Sequence, residues 1–425
     1  MNYRRLVFVF AALPIACFAY ACSSSSNDNP PEQSTTNDDA SVDSSNETPT
    51  VDAGDTADAT DASDASDAAD ASDADDADAD DKGEPPPPDD KLVSCVGLGN
   101  PMKADAEGVV SIDSGDPAVT QIVDEFNDTG YTDTFVGSPL YIEVGGVGQL
   151  VFSEFNAVPF DPLDPNTTVA SAVFSVNLDG SGRKVFRFVD ATRHFSGNAL
   201  LNNDTVLSVG VTDSATTGFI YQTKTDGTVV DKTFPTDPSI DPRDLVVGPN
   251  GDIYFTDPQY QVNNNDNNDD IPISGIYRIP NGGAATAIHT DGDVAQYNGI
   301  ALSSDAKTLY TSVTSDSTIL TWTVSDDGSV ADKSTTLVAA TADAPDGIAV
   351  DTAGNLWIAE SDINGDQHGR VEVFSADGKT KYGEITFQDQ RPTGVAFGDA
   401  DNQTLFITTE LGIYKYNVRC AGIRK

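Results

Sequence analysis

A chain of 425 residues carrying 68 acidic against 23 basic side chains has a formal charge of −45. That excess repels a phosphate backbone, which excludes nucleic acid as a partner and favours basic or neutral ligands and divalent cations. The first 90 residues cannot contribute to a core, and the remaining residues, about 335, suffice for one large architecture with a substantial buried interior.

The chain opens Met1-Asn2-Tyr3-Arg4-Arg5, then runs apolar from Leu6 to Ala21, broken only by Pro14. Two positive charges before a short apolar core and small residues are the layout of a cleaved export signal. The run is shorter than the roughly 20 residues that span a bilayer, and no later segment comes close. It ends Ala19-Tyr20-Ala21-Cys22. This resembles a lipobox, with Ala19 where Leu is usual. Residues 1–21 are therefore expected to be removed and Cys22 acylated, with plain cleavage after Ala21 as the alternative. A lipid anchor would be the protein's only membrane attachment, holding it at the bacterial envelope on its periplasmic or outer face.

Residues 22–90 are built almost wholly from Asp, Ala, Ser, Asn and Pro. From Ser23 to Asp90 there are 22 acidic residues against Lys82 alone, a charge of −21. Allowing +2 for Arg4 and Arg5, −26 remains for residues 91–425. Low hydrophobicity and single-sign charge cannot offset the entropy of folding, so a disordered, self-repelling tether is expected. Its mean span as a flexible chain would be roughly 45–50 Å.

Beyond residue 139 the chain repeats itself. Arg243-Asp-Leu-Val-Val-Gly-Pro-Asn-Gly-Asp-Ile-Tyr-Phe-Thr-Asp257 matches Asp346-Gly-Ile-Ala-Val-Asp-Thr-Ala-Gly-Asn-Leu-Trp-Ile-Ala-Glu360. Further copies start at Asn298 and Thr393, and weaker ones at Gly197-Asn198 and Pro139. Each is a short apolar strand, a tight polar turn and a second apolar strand. A third strand follows, as in Gly218-Phe-Ile-Tyr and Gly275-Ile-Tyr-Arg, and Asp-Gly turns at 179, 226, 327 and 377 lead to a fourth. Four antiparallel strands every fifty residues or so mean propeller blades, and six starts give an all-β, six-bladed propeller over residues 91–425. The sixth blade is short of strands. Segments near Val109 and Thr120 are expected to supply its outer strand and close the ring. Closure would bring together the domain's two ends, where Cys95 and Cys420 stand, and exported proteins retain disulfides.

Loops between second and third strands are long at 154–170, 257–274 and 361–369, on the same rim as the starts of the innermost strands. Long loops on a rigid scaffold mark a binding side. The residues at those starts are Asn198, Arg243-Asp244, Asn298, Asp346 and Thr393. Convergent carboxylate and amide oxygens suit a hard cation such as Ca²⁺, although Asn-Gly and Asp-Gly are also generic turn formers.

The runs from Arg243 to Tyr260, Tyr297-Asn-Gly-Ile-Ala and Pro345-Asp-Gly-Ile-Ala-Val-Asp resemble the senescence marker protein / gluconolactonase / luciferin-regenerating-enzyme family across roughly residues 135–418. The resemblance implies a six-bladed propeller that hydrolyses sugar lactones with one divalent metal. It implies Asn298 and Asp346 as metal ligands, Asp346 doubling as general base; the converging oxygens themselves put Asn198 or Asp244 near the same cation. Two positions depart from the pattern. The family's metal-ligating Glu of Glu-Gly-Pro falls at Gly137-Ser138-Pro139, and its substrate-contacting Asn of Pro-Asn-Asp falls at Arg243. An arginine there would weaken metal binding or occupy the cation's place. Two readings follow. One is an anchored, monomeric lactone or ester hydrolase in which Asp346 and Arg243 act on a small-molecule lactone or sugar acid; the other is a non-catalytic propeller binding a ligand or protein on its upper rim.

Overall fold

The computed structural model describes residues 100–102, 109–111 and 119–123, and from 135 to 425 all but 160–167, 191–192, 213–217, 236–241, 259–273, 291–294, 362–367, 389 and 411. The expected leader, the tether, Cys22 and Cys95 lie outside the described residues, as do most of the three long rim loops.

The described residues form a ring of six sheets, antiparallel but for one added strand. Blade 1 holds β3 (Phe135–Val144), β4 (Val147–Pro159), β5 (Thr168–Asn177) and β6 (Lys184–Arg187), and blade 2 holds β7 (Arg193–Asn202), β8 (Thr205–Thr212), β9 (Gly218–Lys224) and β10 (Val229–Pro235). Blade 3 is β11 (Leu245–Val247), β12 (Ile253–Asp257), β13 (Gly275–Ile279) and β14 (Thr286–Thr290). Blade 4 is β15 (Tyr297–Leu302), β16 (Thr308–Val313), β17 (Thr318–Val324) and β18 (Val330–Val338). Blade 5 is β19 (Ala344–Val350), β20 (Leu356–Ser361), β21 (His368–Phe374) and β22 (Lys381–Gln388), and blade 6 contributes β23 (Pro392–Gly398), β24 (Thr404–Thr409) and β25 (Ile413–Asn417). The first strand of each blade lies inside, packed against its neighbours around the axis, and β23 closes the ring against β3.

Burial follows position within the blade. The inner strands β15, β19 and β23 are buried at every residue, whereas the outer β14 and β18 are largely exposed. Alternation in each middle strand sends side chains to both neighbouring blades. In β12, Ile253 and Phe255 join the cluster shared with blade 2, and Tyr254 joins the one shared with blade 4. Six such clusters fill the six blade interfaces. The Asp-Gly turns form as the sequence implies. Asp226 accepts the Thr228 amide at 2.8 Å and Gly227 takes a φ of 91°, a conformation open to glycine at no steric cost.

Ring closure differs in one detail from the expectation. Residues Val119–Val123 (β2) do pair antiparallel with β25 as the outer strand of blade 6. Residues Val109–Ser111 (β1) instead add to blade 5, parallel to β22, with Val109 opposite Glu384. This fifth strand covers an edge whose peptide groups would otherwise be open to pairing with another chain.

Candidate functional site

The inner strands of blades 1, 2, 4, 5 and 6 begin with a bulge, and the bulge decides which side chain reaches the channel mouth. Pairing skips from Tyr297–Val313 to Ile300–Thr311 in blade 4, and from Pro345–Glu360 to Ile348–Ile358 in blade 5. The two residues left over are Asn298-Gly299 and Asp346-Gly347. The corresponding residues are Ser138-Pro139 in blade 1 and Ser196-Gly197 in blade 2. Asn198 therefore sits two residues past the mouth position, and Ser196 holds the place that the repeat alignment gave to Asn198. Its amide is fully buried, with Nδ2 donating to Ser153 Oγ at 2.8 Å and to Ser138 O at 3.1 Å, and Oδ1 accepting from Ser208 at 2.7 Å. These bonds join blades 1 and 2.

The second bulge residue is glycine where neighbouring backbones nearly touch. A Cβ on Gly299 would lie 2.2 Å from the carbonyl oxygen of Asp346, and one on Gly347 would lie 2.8 Å from Gly394 Cα. Hydroxyls on the second strands fix the bulges of the next blade. Thr256 Oγ1 donates to the Asn298 carbonyl at 2.5 Å, and Ser312 Oγ donates to the Asp346 carbonyl at 2.7 Å while accepting the Gly299 amide at 2.7 Å. Thr314 Oγ1 accepts from Asn298 Nδ2 at 3.2 Å and donates to the Pro345 carbonyl at 2.8 Å, which orients the Asn298 side chain. The sequence reading missed these hydroxyls. Their signal is Thr256 and Ser312, each near the end of the second strand of its blade.

The structure brings Arg243, Asn298 and Asp346 together. Arg243 Nε donates to Asn298 Oδ1 at 3.2 Å, and Nη2 donates to Asp346 Oδ2 at 3.4 Å. Both ends of this ion pair are nearly buried, with 11% and 9% of the side chains exposed. Burial pushes the Asp346 carboxyl up to about 6, Arg243 and Lys425 pulling against it and Asp244 with it.

Asp244 stands in the glycine position of its repeat and is also buried. Its Oδ1 accepts the Leu245 amide at 2.9 Å and its Oδ2 the Ile300 amide at 3.3 Å. Lys425 Nζ lies 2.5 Å from both oxygens. Residues 421–425 reach it by crossing the far ends of the inner strands, where Ile423 N donates to Val350 O at 2.9 Å and Leu200 N to Lys425 O at 3.4 Å. Ile423, Arg424 and Lys425 wall a cavity of about 360 Å³ bounded also by Val246, Ala301, Ile348 and Val395. No motif in the sequence marks Lys425.

Thr393 donates to the Val136 carbonyl across the closure between blades 6 and 1. Beside it, a Cβ added to Gly137 would meet nothing nearer than Thr393 Oγ1 at 4.0 Å, and Ser138 holds a φ of 48° in the position where the Glu-Gly-Pro pattern has glycine. The donor set does not fit a resident divalent ion. The buried carboxylate of blade 1, Glu154, is paired with Arg183, the oxygens of Asn298 and Asp346 that would bind a cation accept from a guanidinium, and no cluster of three or more His, Cys, Asp or Glu able to hold a metal exists among the described residues.

The family model for the SMP-30/Gluconolactonase/LRE-like region matches residues 169–410. A gluconolactonase of Zymomonas mobilis is 28% identical over 193 residues, covering 43% of this chain and 51% of its own length. The chain thus spans about half the length of the curated relatives it matches. Among solved structures, a gluconolactonase from Xanthomonas campestris superposes with a TM-score of 0.51 at 22% identity, over 77% of this chain and 94% of its own. Regucalcin from Agrobacterium tumefaciens, described as a calcium-binding protein, superposes at 0.50 with 14% identity, over 75% and 98%. At these identities the structures establish the fold.

Proposed function

The chain belongs to the SMP-30/gluconolactonase/LRE-like family, and from that premise we propose that its channel mouth opens sugar lactones by hydrolysis. The observation that carries the reading is a buried carboxylate, Asp346, held against Arg243 at the starts of two inner strands. Asp346 takes the proton of a water molecule as that water's oxygen attacks the lactone carbonyl carbon. The guanidinium of Arg243 faces the negative charge that gathers on the carbonyl oxygen, in a site where burial strengthens such contacts. Collapse breaks the bond between the carbonyl carbon and the ring oxygen, the proton returns from Asp346 to that oxygen, and a hydroxy acid leaves. The carboxylate so formed is matched by the arginine. No step runs through a metal. A panel of aldonolactones and aryl esters tests the reading: turnover lost in Asp346→Asn and strongly reduced in Arg243→Ala supports it. Absence of turnover leaves the non-catalytic ligand-binding propeller, which the locked Arg243–Asp346 pair also favours.

The same proposal places the propeller outside the cytoplasm, lipid-anchored through Cys22 on the acidic tether, as a monomer. Among the described residues no helix is long and apolar enough to cross a membrane. A Cys95–Cys420 bridge belongs to the proposal as well. It is supported by the fully buried Cys420 and by Arg419, whose amide donates to Pro101 O at 3.2 Å and whose Nη1 donates to Asn100 O at 3.0 Å. Asn100 lies five positions after Cys95 along the chain.

A further inference from the structure

We infer that the cation at this channel mouth is supplied by the chain itself: the guanidinium of Arg243 stands where a divalent ion would sit between Asn298 and Asp346. The oxygens it engages, Asn298 Oδ1 at 3.2 Å and Asp346 Oδ2 at 3.4 Å, are the donors a hard cation would need. A metal could reach them only by displacing an arginine that is 89% buried and fixed at its own backbone, where Arg243 N donates to Thr256 O at 2.8 Å.

Charge balance points the same way. An ion of charge +2 beside a guanidinium would set +3 against the single carboxylate of Asp346, a repulsion that low dielectric makes severe. The other axial carboxylate, Asp244, already has Lys425 on both oxygens and two backbone amides besides. In blade 1 the buried carboxylate, Glu154, already pairs with Arg183, and Gly137 at the start of the inner strand presents open space at its Cβ. Arg243 and Lys425 thus approach the axis from opposite ends of the inner strands, and each pairs with one acidic group. Because arginine stays charged at every pH a protein tolerates, the site keeps its positive centre without a metal supply. This holds whether or not lactones are the substrate, and its test reads binding and not turnover.

The full chain, stripped with chelator, is melted with and without Ca²⁺ or Mn²⁺ at concentrations on the order of 10⁻³ M, where weak extracellular calcium sites fill. The melting temperature of the wild type and of Arg243→Lys is expected to be unchanged by metal or chelator, and the purified wild type to hold no stoichiometric metal by elemental analysis. The double variant Gly137→Glu/Arg243→Asn places a carboxylate at the start of blade 1's inner strand and clears the two oxygens, so its melting temperature should rise with Ca²⁺ and fall back with chelator. Stoichiometric metal in the wild type, a chelator-sensitive wild-type melt, or a double variant no more metal-responsive than Arg243→Lys overturns the inference. The two wild-type measurements decide it even where the double variant fails to fold.

Discussion

Replacing Arg243 by alanine isolates the ion pair at the channel mouth. At 3.4 Å and an effective dielectric near 20, the attraction between Arg243 and Asp346 is about 5 kcal/mol, and removing one partner of a buried pair typically costs about 3–5 kcal/mol. The cost depends on whether Asp346 is charged. Its carboxyl is raised in the folded state, to about 6 from 3.8. Its contribution to stability is therefore fully present below the unfolded value and lost as pH rises through the folded one. Without Arg243 the folded value climbs further, and the loss continues through neutral pH. Urea unfolding of Arg243→Ala against wild type should show a deficit of about 3–5 kcal/mol near pH 8 that shrinks by at least about 1.4 kcal/mol near pH 4.5, one pKa unit's worth. Adding Asp346→Asn should recover much of the deficit at the higher pH. A deficit equal at both pH values, or no recovery in the double variant, would refute the assignment of Arg243 as the partner that Asp346 depends on.

Gly347→Ala should destabilise the ring by about 1–3 kcal/mol or more, since the new Cβ meets Gly394 Cα at 2.8 Å, backbone that cannot turn aside; an unchanged unfolding midpoint would contradict that packing. Lys425→Met should cost about 3 kcal/mol because it strands the Asp244 carboxylate, and Asp244→Asn in the same chain should relieve the loss, both read by denaturant titration. Non-reducing peptide mapping should find Cys95 joined to Cys420, with reduction costing about 3–5 kcal/mol; free thiols at both would remove the bridge.

The architecture was legible because blade repeats are written twice over, in short apolar strands and in Asp-Gly turns such as Asp226-Gly227. The mouth was legible only in part. Repeat alignment found Arg243, Asn298 and Asp346, whose side chains meet at the starts of neighbouring inner strands. It misplaced Asn198 because a bulge shifts register by residues that sequence similarity does not count. The parallel fifth strand at Val109–Ser111 escaped because a three-residue strand has no pattern of its own. Lys425 escaped because a single basic residue gains meaning only from the carboxylate it reaches, 181 positions away.

Initial rates of lactone opening by wild type and Asp346→Asn across about pH 5 to 8 test the central claim most directly. With Asp346 as base, the wild-type rate should level off above pH about 6 and fall toward tenfold per pH unit below it, and Asp346→Asn should lose roughly 10²–10⁴ of it. A rate indifferent to pH across this range, or an Asp346→Asn protein that opens lactones as fast as wild type, would contradict it.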